Sequence, residues 1–428
     1  MKTRLLICLL TICMIAALSG CGGEAGTAAK PSDAVQTEAK TEAKTETKSE
    51  TITEAKTETQ PEPRTEPAQL SAILDRNGDR LGAIDERAVC TAADAGIFYS
   101  VFQPAEYQFT ATAEYRFFRA ADRQDLLLGR LEKQGYEAVY ARTELDGRLY
   151  TLAVTGNPLD EAADSLWLLA LDPAAGTMNK YEVSADGFPY ASMAAVGGKL
   201  LILNHETHDP RRDTIYEFDP GSGGLRTLLS FPDDGASTLR GVCAAEDGFC
   251  LLRLRLENGR PAELLLDYRD AEGGALSERS LNELLIPAAR EFPGFVDEAE
   301  LLNEFGMMVS SFSLWEGRYL CYGNFGLLRA VLDLERGEAL LTKDDLWSLS
   351  LGSGSPALYR LDFEAAAEGP EILVMGNGAF EKLPLAPQEA HPLLRGLSHS
   401  PGGNWLAELA DSPRSFGATR VLCFWQEP

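Results

Sequence analysis

Short apolar runs separated by glycine-containing turns dominate the chain from Leu70 onward. Runs of this length, rich in Leu, Val, Phe and Tyr, are typical of β-strands. One kind of turn leads into such a run repeatedly, and its last glycines are Gly96, Gly147, Gly198, Gly248, Gly317 and Gly403. Their separations of 51, 51, 50, 69 and 86 residues indicate an internal repeat of about 50 residues.

A second kind of turn keeps the same period. About 20 residues after the glycine turn, an apolar run ends in Asp and is followed by a turn that contains Gly. The four examples begin at Leu171-Asp172, Phe218-Asp219, Leu266-Asp267 and Leu332-Asp333. We expect each Asp to bond the backbone of its own turn and each Gly to adopt a positive φ. Each repeat therefore contains two hairpins, that is, four strands.

Four short strands in every repeat of roughly 40–50 residues are typical of a β-propeller blade. The interval of 69 residues predicts an insertion, and the interval of 86 predicts a degenerate repeat near Ser355–Leu361. With that repeat counted, the sequence predicts an all-β, seven-bladed propeller over residues 70–428. Two unrelated β-rich domains are the alternative.

The two ends of this domain each hold a segment that belongs to no complete repeat. Thr419–Trp425 is a strand with nothing after it to complete a blade, and Ala72–Ile84 is a hairpin around an Asn77-Gly78 turn. An open ring would leave strand edges exposed. We therefore predict that these two segments pair and close the ring.

The insertion lies between blades four and five, at about residues 280–306. A capping box of Ser280 and Glu283 and apolar residues at helical spacing predict an amphipathic helix that ends at Pro293-Gly294. The apolar positions are Leu281, Leu284, Leu285, Ala288 and Ala289. A second, weaker helix is predicted over about 297–305. We expect the two helices either to cover one mouth of the ring or to dock a partner.

The beginning of the chain has the features of an export signal. A basic start precedes an apolar run from Leu5 to Leu18 that only Thr11 interrupts, and small residues follow. The run has 14 residues, fewer than the ~20 that cross a bilayer as a helix. We expect residues 1–20 to be a cleaved signal peptide.

Leu18-Ser19-Gly20-Cys21 resembles the lipobox of bacterial lipoproteins. The resemblance covers four residues directly after the apolar run. It implies cleavage before Cys21 and a diacylglyceryl group on the Cys21 thiol. Since two or more acyl chains anchor a protein stably, it also implies a lipid-anchored, extracytoplasmic protein of the bacterial cell membrane or envelope. An ordinary secretory signal with a chance Cys is the alternative.

Residues 21–69 begin with Cys21 and continue as a linker that holds almost no large apolar side chain, so they cannot form a core. Glu recurs at every fourth residue from Glu38 to Glu66 in a Thr/Glu/Ala/Lys-rich repeat, and Pro61 and Pro63 interrupt any helix. We expect a disordered spacer with an r.m.s. span of about 35–42 Å, long enough to hold the domain clear of the lipid surface.

The chain carries 39 basic and 65 acidic residues, a net charge of −26 at pH 7. Most of this excess lies in residues 70–428, which hold 31 basic and 55 acidic residues. A surface this acidic repels phosphate backbones, so nucleic acid is not expected as a partner.

Two short motifs resemble known propeller families. Ser400–Ala407 reads Ser-Pro-Gly-Gly-Asn-Trp-Leu-Ala and resembles the Ser-Pro-Asp-Gly-Lys-Trp-Leu-Ala start of blades in bacterial TolB-type propellers. Gly402 stands where that family prefers Asp. The turn at Phe218–Gly223 resembles those of quinoprotein-type blades. These resemblances imply the propeller fold and no particular site.

No residue cluster predicts a catalytic, cofactor or metal site. His205–Asp209 holds residue types that bind metals but lacks the remaining ligands of a defined zinc site, so a solvated loop is expected. Asp75–Glu86 has the acidic spacing of a calcium loop, but Arg80 stands where that loop needs Gly, so the hairpin interpretation is favoured. The Gly-x-Ser-x-Gly motif of serine hydrolases is absent from the sequence.

Cysteines and aromatic residues of the domain fall in strand-like runs. Five cysteines are expected to be buried thiols, with one disulfide left open: Cys90, Cys243, Cys250, Cys321 and Cys423. Core packing, rather than stacking on sugars, is expected for Tyr150, Tyr216, Trp315 and Trp405.

The anchor and the repeat ring together predict a function class. By analogy with other propellers, we expect a non-enzymatic binding or scaffolding module for a protein or a cell-envelope polymer. A glycan-active enzyme that uses paired carboxylates is the first alternative. A solute-binding lipoprotein of a transporter is the second, although that class needs an α/β architecture that the repeat pattern contradicts.

Overall fold

A computed structural model provides the structure of this protein. It describes residues 70–104, 110–135, 141–155, 165–187, 191–208, 210–290, 297–306, 309–324, 329–342, 347–350, 357–360, 372–376, 379–383, 393–411 and 420–426. All of them belong to one compact unit, Thr65–Pro428. The predicted signal peptide, Cys21 and the linker lie outside the described residues.

The described residues form seven blades of a β-propeller, and their strands pair antiparallel except for one parallel pair at the ring closure. In blades one to six the strands follow each other in chain order, and the first strand of each blade is called its inner strand here. Blade one holds β3 (Val89–Ala93), β4 (Gly96–Pro104), β5 (Thr110–Arg119) and β6 (Gln124–Gly135). Blade two holds β7 (Arg142–Leu145), β8 (Arg148–Thr155), β9 (Ser165–Asp172) and β10 (Thr177–Ser184). Blade three holds β11 (Ser192–Val196), β12 (Lys199–Glu206), β13 (Arg212–Asp219) and β14 (Gly224–Pro232).

The remaining blades follow the same plan. Blade four holds β15 (Ser237–Ala245), β16 (Gly248–Glu257), β17 (Arg260–Asp270) and β18 (Ala275–Ser280). Blade five holds β19 (Val309–Trp315), β20 (Tyr319–Asn324), β21 (Arg329–Asp333) and β22 (Glu338–Thr342). Blade six holds β23 (Trp347–Ser350), β24 (Ala357–Arg360), β25 (Ile372–Gly376) and β26 (Ala379–Leu383). Blade seven holds β27 (Leu393–His399), β28 (Asn404–Ala410), β29 (Arg420–Gln426), β1 (Leu70–Leu74) and β2 (Arg80–Asp85).

The predicted all-β, seven-bladed propeller is thus confirmed, including the degenerate repeat, which is blade six. The alternative of two unrelated β-rich domains is wrong. Blades one and two also share an edge, because Gln134 at the end of β6 pairs with Thr155 of β8.

Both faces of a blade are buried against its neighbours, which explains why the strands read as continuous apolar runs. In β12, Leu200 and Ile202 pack toward blade two, whereas Leu201 and Leu203 pack toward blade four. All four side chains are at most 2% exposed. A strand with one solvated face would instead alternate apolar and polar residues.

The two ends of the domain close the ring, as predicted. β1 lies parallel to β29, with Ala72 opposite Val421 and Leu74 opposite Cys423. β2 then pairs antiparallel with β1 through the turn at Asn77-Gly78. Blade seven therefore contains five strands, of which three come from the C-terminal part of the chain and two from the N-terminal part.

The guanidinium of Arg420 joins the two ends at this closure. It donates to the carbonyl of Ala88 at 2.7 Å and to the Ser71 hydroxyl at 3.3 Å. Its Nη1 lies 3.2 Å from a Glu408 carboxylate oxygen on the neighbouring strand. One half-buried cation thus bonds both the N-terminal hairpin and the C-terminal strands.

Blades seven and one are bonded a second time at the opposite end of the strands. Asn404 donates through its side-chain amide to the carbonyl of Asp94 at 2.7 Å, and the Gly402 amide donates to the Asp94 carboxylate at 2.6 Å. A Cβ at position 402 would lie only 2.7 Å from that carboxylate oxygen. This close approach explains why Gly402 departs from the Asp of TolB-type blades.

The predicted turn chemistry is confirmed in three of four cases. The carboxylates of Asp172, Asp219 and Asp333 accept backbone N–H groups of their own turns at 2.8–3.0 Å. In blade four the prediction for Asp267 is wrong, because Asp270 caps that turn instead. Asp267 is fully buried and pairs with Arg269. Glycines of all four turns have the expected positive φ: Gly176, Gly223, Gly273 and Gly337.

Two helices form the insertion between blades four and five, as predicted: α1 (Asn282–Arg290) and α2 (Glu298–Gly306). The capping box is wrong, because Ser280 still belongs to β18 and the carbonyl of Leu281 accepts the first helical bond. The predicted end of the first helix at Pro293-Gly294 lies outside the described residues.

The two helices pack against blades four and five. Their described apolar side chains join the core between these blades, and α2 packs on β17 while α1 packs on the outermost strand β22. Leu281, Leu285 and Leu302 are at most 1% exposed. The helices therefore fill the wedge that opens between two blades, and the two roles predicted for the insertion stay predictions.

We predict that Arg420→Ala destabilises the domain by about 2–4 kcal/mol, because the change removes charge-assisted bonds from both sides of the ring closure. Urea unfolding measures the free energy of unfolding. Arg87→Ala is the matched control, since Arg87 is half-exposed and forms an ion pair with Asp85 on the surface. That change should cost at most about 0.5 kcal/mol. Equal losses in the two variants would contradict the role of Arg420.

Candidate functional site

The two faces of the ring differ in the length of their connections. One face, called the turn face, carries the hairpins from the first to the second strand and from the third to the fourth strand of each blade. The first kind spans two residues in blades one to four, and the second spans four residues in blades one to five. These connections are therefore nearly uniform.

The opposite face, called the loop face, carries the connections from the second to the third strand and from one blade to the next. They range from two residues between β16 and β17 to eleven between β24 and β25. The helical insertion between β18 and β19 belongs to the same face. Variable loops on a rigid scaffold commonly carry binding residues, so the loop face is the candidate functional surface.

Arg142 lies on the inner strand β7, near the loop face. Its Nη1 donates to the Thr91 hydroxyl of blade one at 2.5 Å, and its Nη2 donates to the Ser100 hydroxyl at 3.3 Å. Its Nε is shielded from solvent and has no hydrogen-bond partner. Burial lowers the pKa of Arg142, although an arginine remains protonated in proteins.

Arg240 occupies a bulge in the inner strand β15. The register of β15 against β16 shifts between Leu239 and Gly241, so Arg240 is left out of the ladder. Its Nε is also buried without a hydrogen-bond partner. Burial lowers its pKa and the charge of Asp213 opposes that shift. The bulge thus places a cation on the inner strand β15, and no described carboxylate lies at ion-pair distance from it.

Blade seven repeats this bulge. Leu394-Arg395-Gly396 of β27 has the sequence of Leu239-Arg240-Gly241, and the register against β28 shifts at the same place. The repeated Leu-Arg-Gly in two inner strands is a signal that the sequence analysis missed. Arg142 also carries a signal, since the corresponding positions of blades one and three are Cys90 and Met193.

Most other arginines of the domain lie against a carboxylate. Ion pairs involve Arg87, Arg116, Arg119, Arg130, Arg148, Arg212, Arg226, Arg253, Arg255, Arg269, Arg290, Arg318, Arg336 and Arg420. Within the described part of the chain, Arg142 and Arg240 have no carboxylate at ion-pair distance, and other arginines outside these pairs, such as Arg76, Arg80 and Arg260, are exposed. Arg142 and Arg240 differ from those exposed arginines because each has an Nε that is buried without a hydrogen-bond partner.

The predicted histidine loop does not assemble a metal site. His205 donates through Nδ1 to Asp213 at 2.6 Å, while His208 lies 2.9 Å from Asp186. The second Asp213 oxygen accepts the Leu239 amide at 2.6 Å, directly before the Arg240 bulge. Among the described residues, no group of three metal-ligand side chains comes together. The carboxylate of Asp213 instead joins blade three to blade four.

Paired carboxylates occur on the turn face, between blades one and two. Glu144 of β7 lies beside Asp94, and burial together with that neighbouring charge raises the pKa of Glu144 to about 7. One oxygen of Glu144 is buried without a hydrogen-bond partner. Asp94 already accepts the Gly402 amide, so its carboxylate also has a structural role.

The remaining sequence-derived candidates are structural. Asp75 bonds the amides of Asn77 and Asp79 within the hairpin turn, so the hairpin interpretation of the calcium-like segment is confirmed. Tyr150 and Trp405 are at most 4% exposed. Tyr216 donates to Glu206 at 2.6 Å, and Trp315 packs on Tyr319 with ring centroids 5.3 Å apart.

The cysteines of the domain are thiols within the strands, as expected. Cys243, Cys250, Cys321 and Cys423 are buried, and Cys90 is partly buried. Burial raises the pKa of Cys321 to about 12 and that of Cys423 to about 11. Such thiols are poor nucleophiles.

Neither helix in the described part of the chain has the length and apolar character of a membrane span.

Comparisons with known proteins return other propellers. No protein-family model matches the chain, and no curated protein matches it. The propeller domain of the trilobed protease from Pyrococcus furiosus aligns with a TM-score of 0.45 at 11% identity, over 80% of this chain and 96% of that chain. The polysaccharide lyase Uly1 aligns at 0.45 and 11%, over 84% and 97%. The periplasmic gluconolactonase of Pseudomonas aeruginosa aligns at 0.43 and 16%, over 77% and 99%.

We predict that Glu144→Gln reduces the pH dependence of stability. Because the pKa of Glu144 is raised in the folded protein to about 7 from 4.5, the folded state binds more protons between these values. Stability therefore falls as the pH rises through that range. The variant cannot ionise and should gain about 1–2 kcal/mol over the natural protein between pH 5 and pH 8, measured by urea unfolding. The same difference at both pH values would contradict the assignment.

Proposed function

We propose that this protein is a lipid-anchored, extracytoplasmic binding module whose loop face holds a polar cell-envelope polymer through carboxylate or phosphate groups. The observation that carries this proposal is the pair of inner-strand arginines without carboxylate partners. Arg142 and Arg240 lose hydration without gaining an ion pair, which costs free energy. A ligand anion would supply the missing partner, since the guanidinium fork fits both carboxylate and phosphate.

The exposed surface favours such a ligand over a protein with an apolar interface. Among the described residues, the large hydrophobic side chains that are exposed lie on separate strands: Leu70, Val89, Leu127 and Leu276. Protein docking sites usually contain a contiguous apolar patch. The overall negative charge repels dense polyanions, so we expect a ligand with few, spaced anionic groups.

A glycan-active enzyme is the second candidate function. The observation that favours it is Glu144, whose pKa lies near neutrality beside the Asp94 carboxylate. Acid–base cleavage of a glycosidic bond uses a carboxyl group with a raised pKa as the proton donor. This pair lies on the turn face and Asp94 has a structural bond, so binding remains the first proposal. The solute-binding class is disfavoured because the domain is all-β.

We predict that Arg240→Met leaves the ligand-free domain as stable as the natural protein or more stable, because the change removes a partly buried cation that has no carboxylate at ion-pair distance among the described residues. The natural protein should be stabilised by phosphate or citrate more than by sodium chloride of equal ionic strength. At ten times the Kd, the gain would be about 1.4 kcal/mol. The variant should lose this gain, measured as the shift of Tm.

Arg318→Met is the matched control for that experiment. Arg318 lies on the turn face and its guanidinium pairs with Asp333, so its loss should lower the Tm while the response to phosphate and citrate persists. Arg142→Met tests the second cation in the same assay. An unchanged anion response in both Arg142→Met and Arg240→Met would refute the proposed ligand class.

Membrane attachment is tested separately, at Cys21. We predict that the full chain fractionates with membranes when it is expressed in a bacterium that processes lipoproteins, and that Cys21→Ser transfers it to the soluble fraction. Radiolabelled palmitate should label the natural chain and not the variant. Cys13→Ser, within the predicted signal peptide, is the control and should leave both readouts unchanged. Membrane attachment of Cys21→Ser would contradict lipidation at this residue.

A further inference from the structure

Two cysteines face each other across the inner hairpin of blade four. Cys243 of β15 and Cys250 of β16 are directly opposite residues in the antiparallel ladder. The turn between the strands spans Glu246 and Asp247, so the cysteines lie close together in the chain as well. They are 2% and 0% exposed.

The spacing of such a pair suits a disulfide. Directly opposite residues of antiparallel strands have Cα atoms about 4.5–5.5 Å apart, and disulfides span Cα distances of about 4.4–6.8 Å. Because directly opposite residues of paired strands project to the same face of a sheet, both side chains lie on the same side of the blade.

The other cysteines of the domain lack this arrangement. Cys90 lies opposite Tyr99, and Cys423 lies opposite Ala407. Cys321 has Ser313 on one side and Val331 on the other. Among the described residues, Cys243 and Cys250 are thus the one pair of cysteines in opposite positions, although the sequence holds an odd number of cysteines in residues 70–428.

We infer that Cys243 and Cys250 form a disulfide bond when the chain folds outside the cytoplasm. The oxidant is the disulfide of a thiol oxidase or of oxidised glutathione. One cysteine thiolate attacks that disulfide and expels its first thiolate, and the second cysteine then attacks the mixed disulfide and expels the other. The new S–S bond forms, both protein thiols lose their protons, and the two electrons reduce the oxidant to two thiols.

Burial determines when this reaction takes place. In the folded ring both thiols are closed off by the core between blades four and five, so a protein oxidase cannot reach them. The hairpin is local, however, and brings the cysteines together before blade five packs on it. The disulfide then constrains β15, in which the Arg240 bulge lies three residues before Cys243. This inference does not depend on the proposed ligand, but its condition, folding outside the cytoplasm, rests on the location in the proposed function.

Peptide mapping tests the bond directly. The full chain is unfolded in urea and refolded in a buffer of reduced and oxidised glutathione. It is then unfolded again in urea, alkylated with iodoacetamide without reduction, and digested with trypsin. Both cysteines fall in one tryptic peptide, Gly241–Arg253, and Cys321 falls in Tyr319–Arg329. We expect the first peptide to be unalkylated and two hydrogens lighter than the dithiol form, and the second to be alkylated. After reduction, both cysteines of the first peptide should take the label.

Variants give the test a matched control. In Cys250→Ser, Cys243 should become fully alkylated without reduction, and in Cys321→Ser the disulfide should persist. Alkylation of both Cys243 and Cys250 in the refolded natural chain would overturn the inference, as would a glutathione adduct on either one. The same mapping on chain isolated from membranes reports whether export supplies the oxidant. Neither readout changes with the anion response of Arg240, so the two proposals fail independently.

Discussion

Closure of the ring is the constraint on which the rest of this structure depends. Each blade buries both of its faces against neighbours, so a blade without two neighbours would expose strands such as β12, whose side chains are apolar on both faces. The first and last blades must therefore pack against each other. The chain meets this need with a parallel strand from its N-terminal hairpin and with the bonds of Arg420 and Asn404. The Arg420 guanidinium and the Asn404 side-chain amide, both largely buried, thus hold the two ends of the domain together where no covalent bond joins them.

A closed ring separates the scaffold from the surface that can vary. Turns on one face are short in most blades, whereas the connections on the other face vary in length and include the helical insertion. The two helices leave from the loop face, yet the described apolar side chains of both helices pack into the core between blades four and five. They therefore enlarge the scaffold.

Charge distribution distinguishes the candidate site from the remainder of the domain. Where acidic residues are abundant, an arginine usually finds a carboxylate, and the ion pairs of this propeller follow that expectation. Arg142 contacts hydroxyl groups instead, and Arg240 is held by a bulge. Such positions reduce stability and persist at sites that bind a ligand. The net negative charge of the domain repels dense polyanions, which is why the proposed ligand has few, spaced anionic groups.

Several features of this protein could be predicted from local periodicity and turn chemistry alone. The repeat of about 50 residues, the number of blades, the closing hairpin and the position of the helices all follow from residues close together in the chain. The Cys243–Cys250 opposition also follows from a two-residue turn, although the strand register was needed to identify it.

Tertiary structure decided what depends on neighbouring blades. Asp267 resembles the turn residues Asp172 and Asp219 in sequence, but it is buried and forms an ion pair with Arg269. The carboxylate of Asp270 instead accepts the backbone N–H groups of that turn. In sequence, Arg142 and Arg240 resemble other strand arginines. Only the assembled blades show that no described carboxylate lies at ion-pair distance from either residue. Periodicity identifies which residues form a strand, whereas the partners of a buried charge come from distant parts of the chain that only the closed ring brings together.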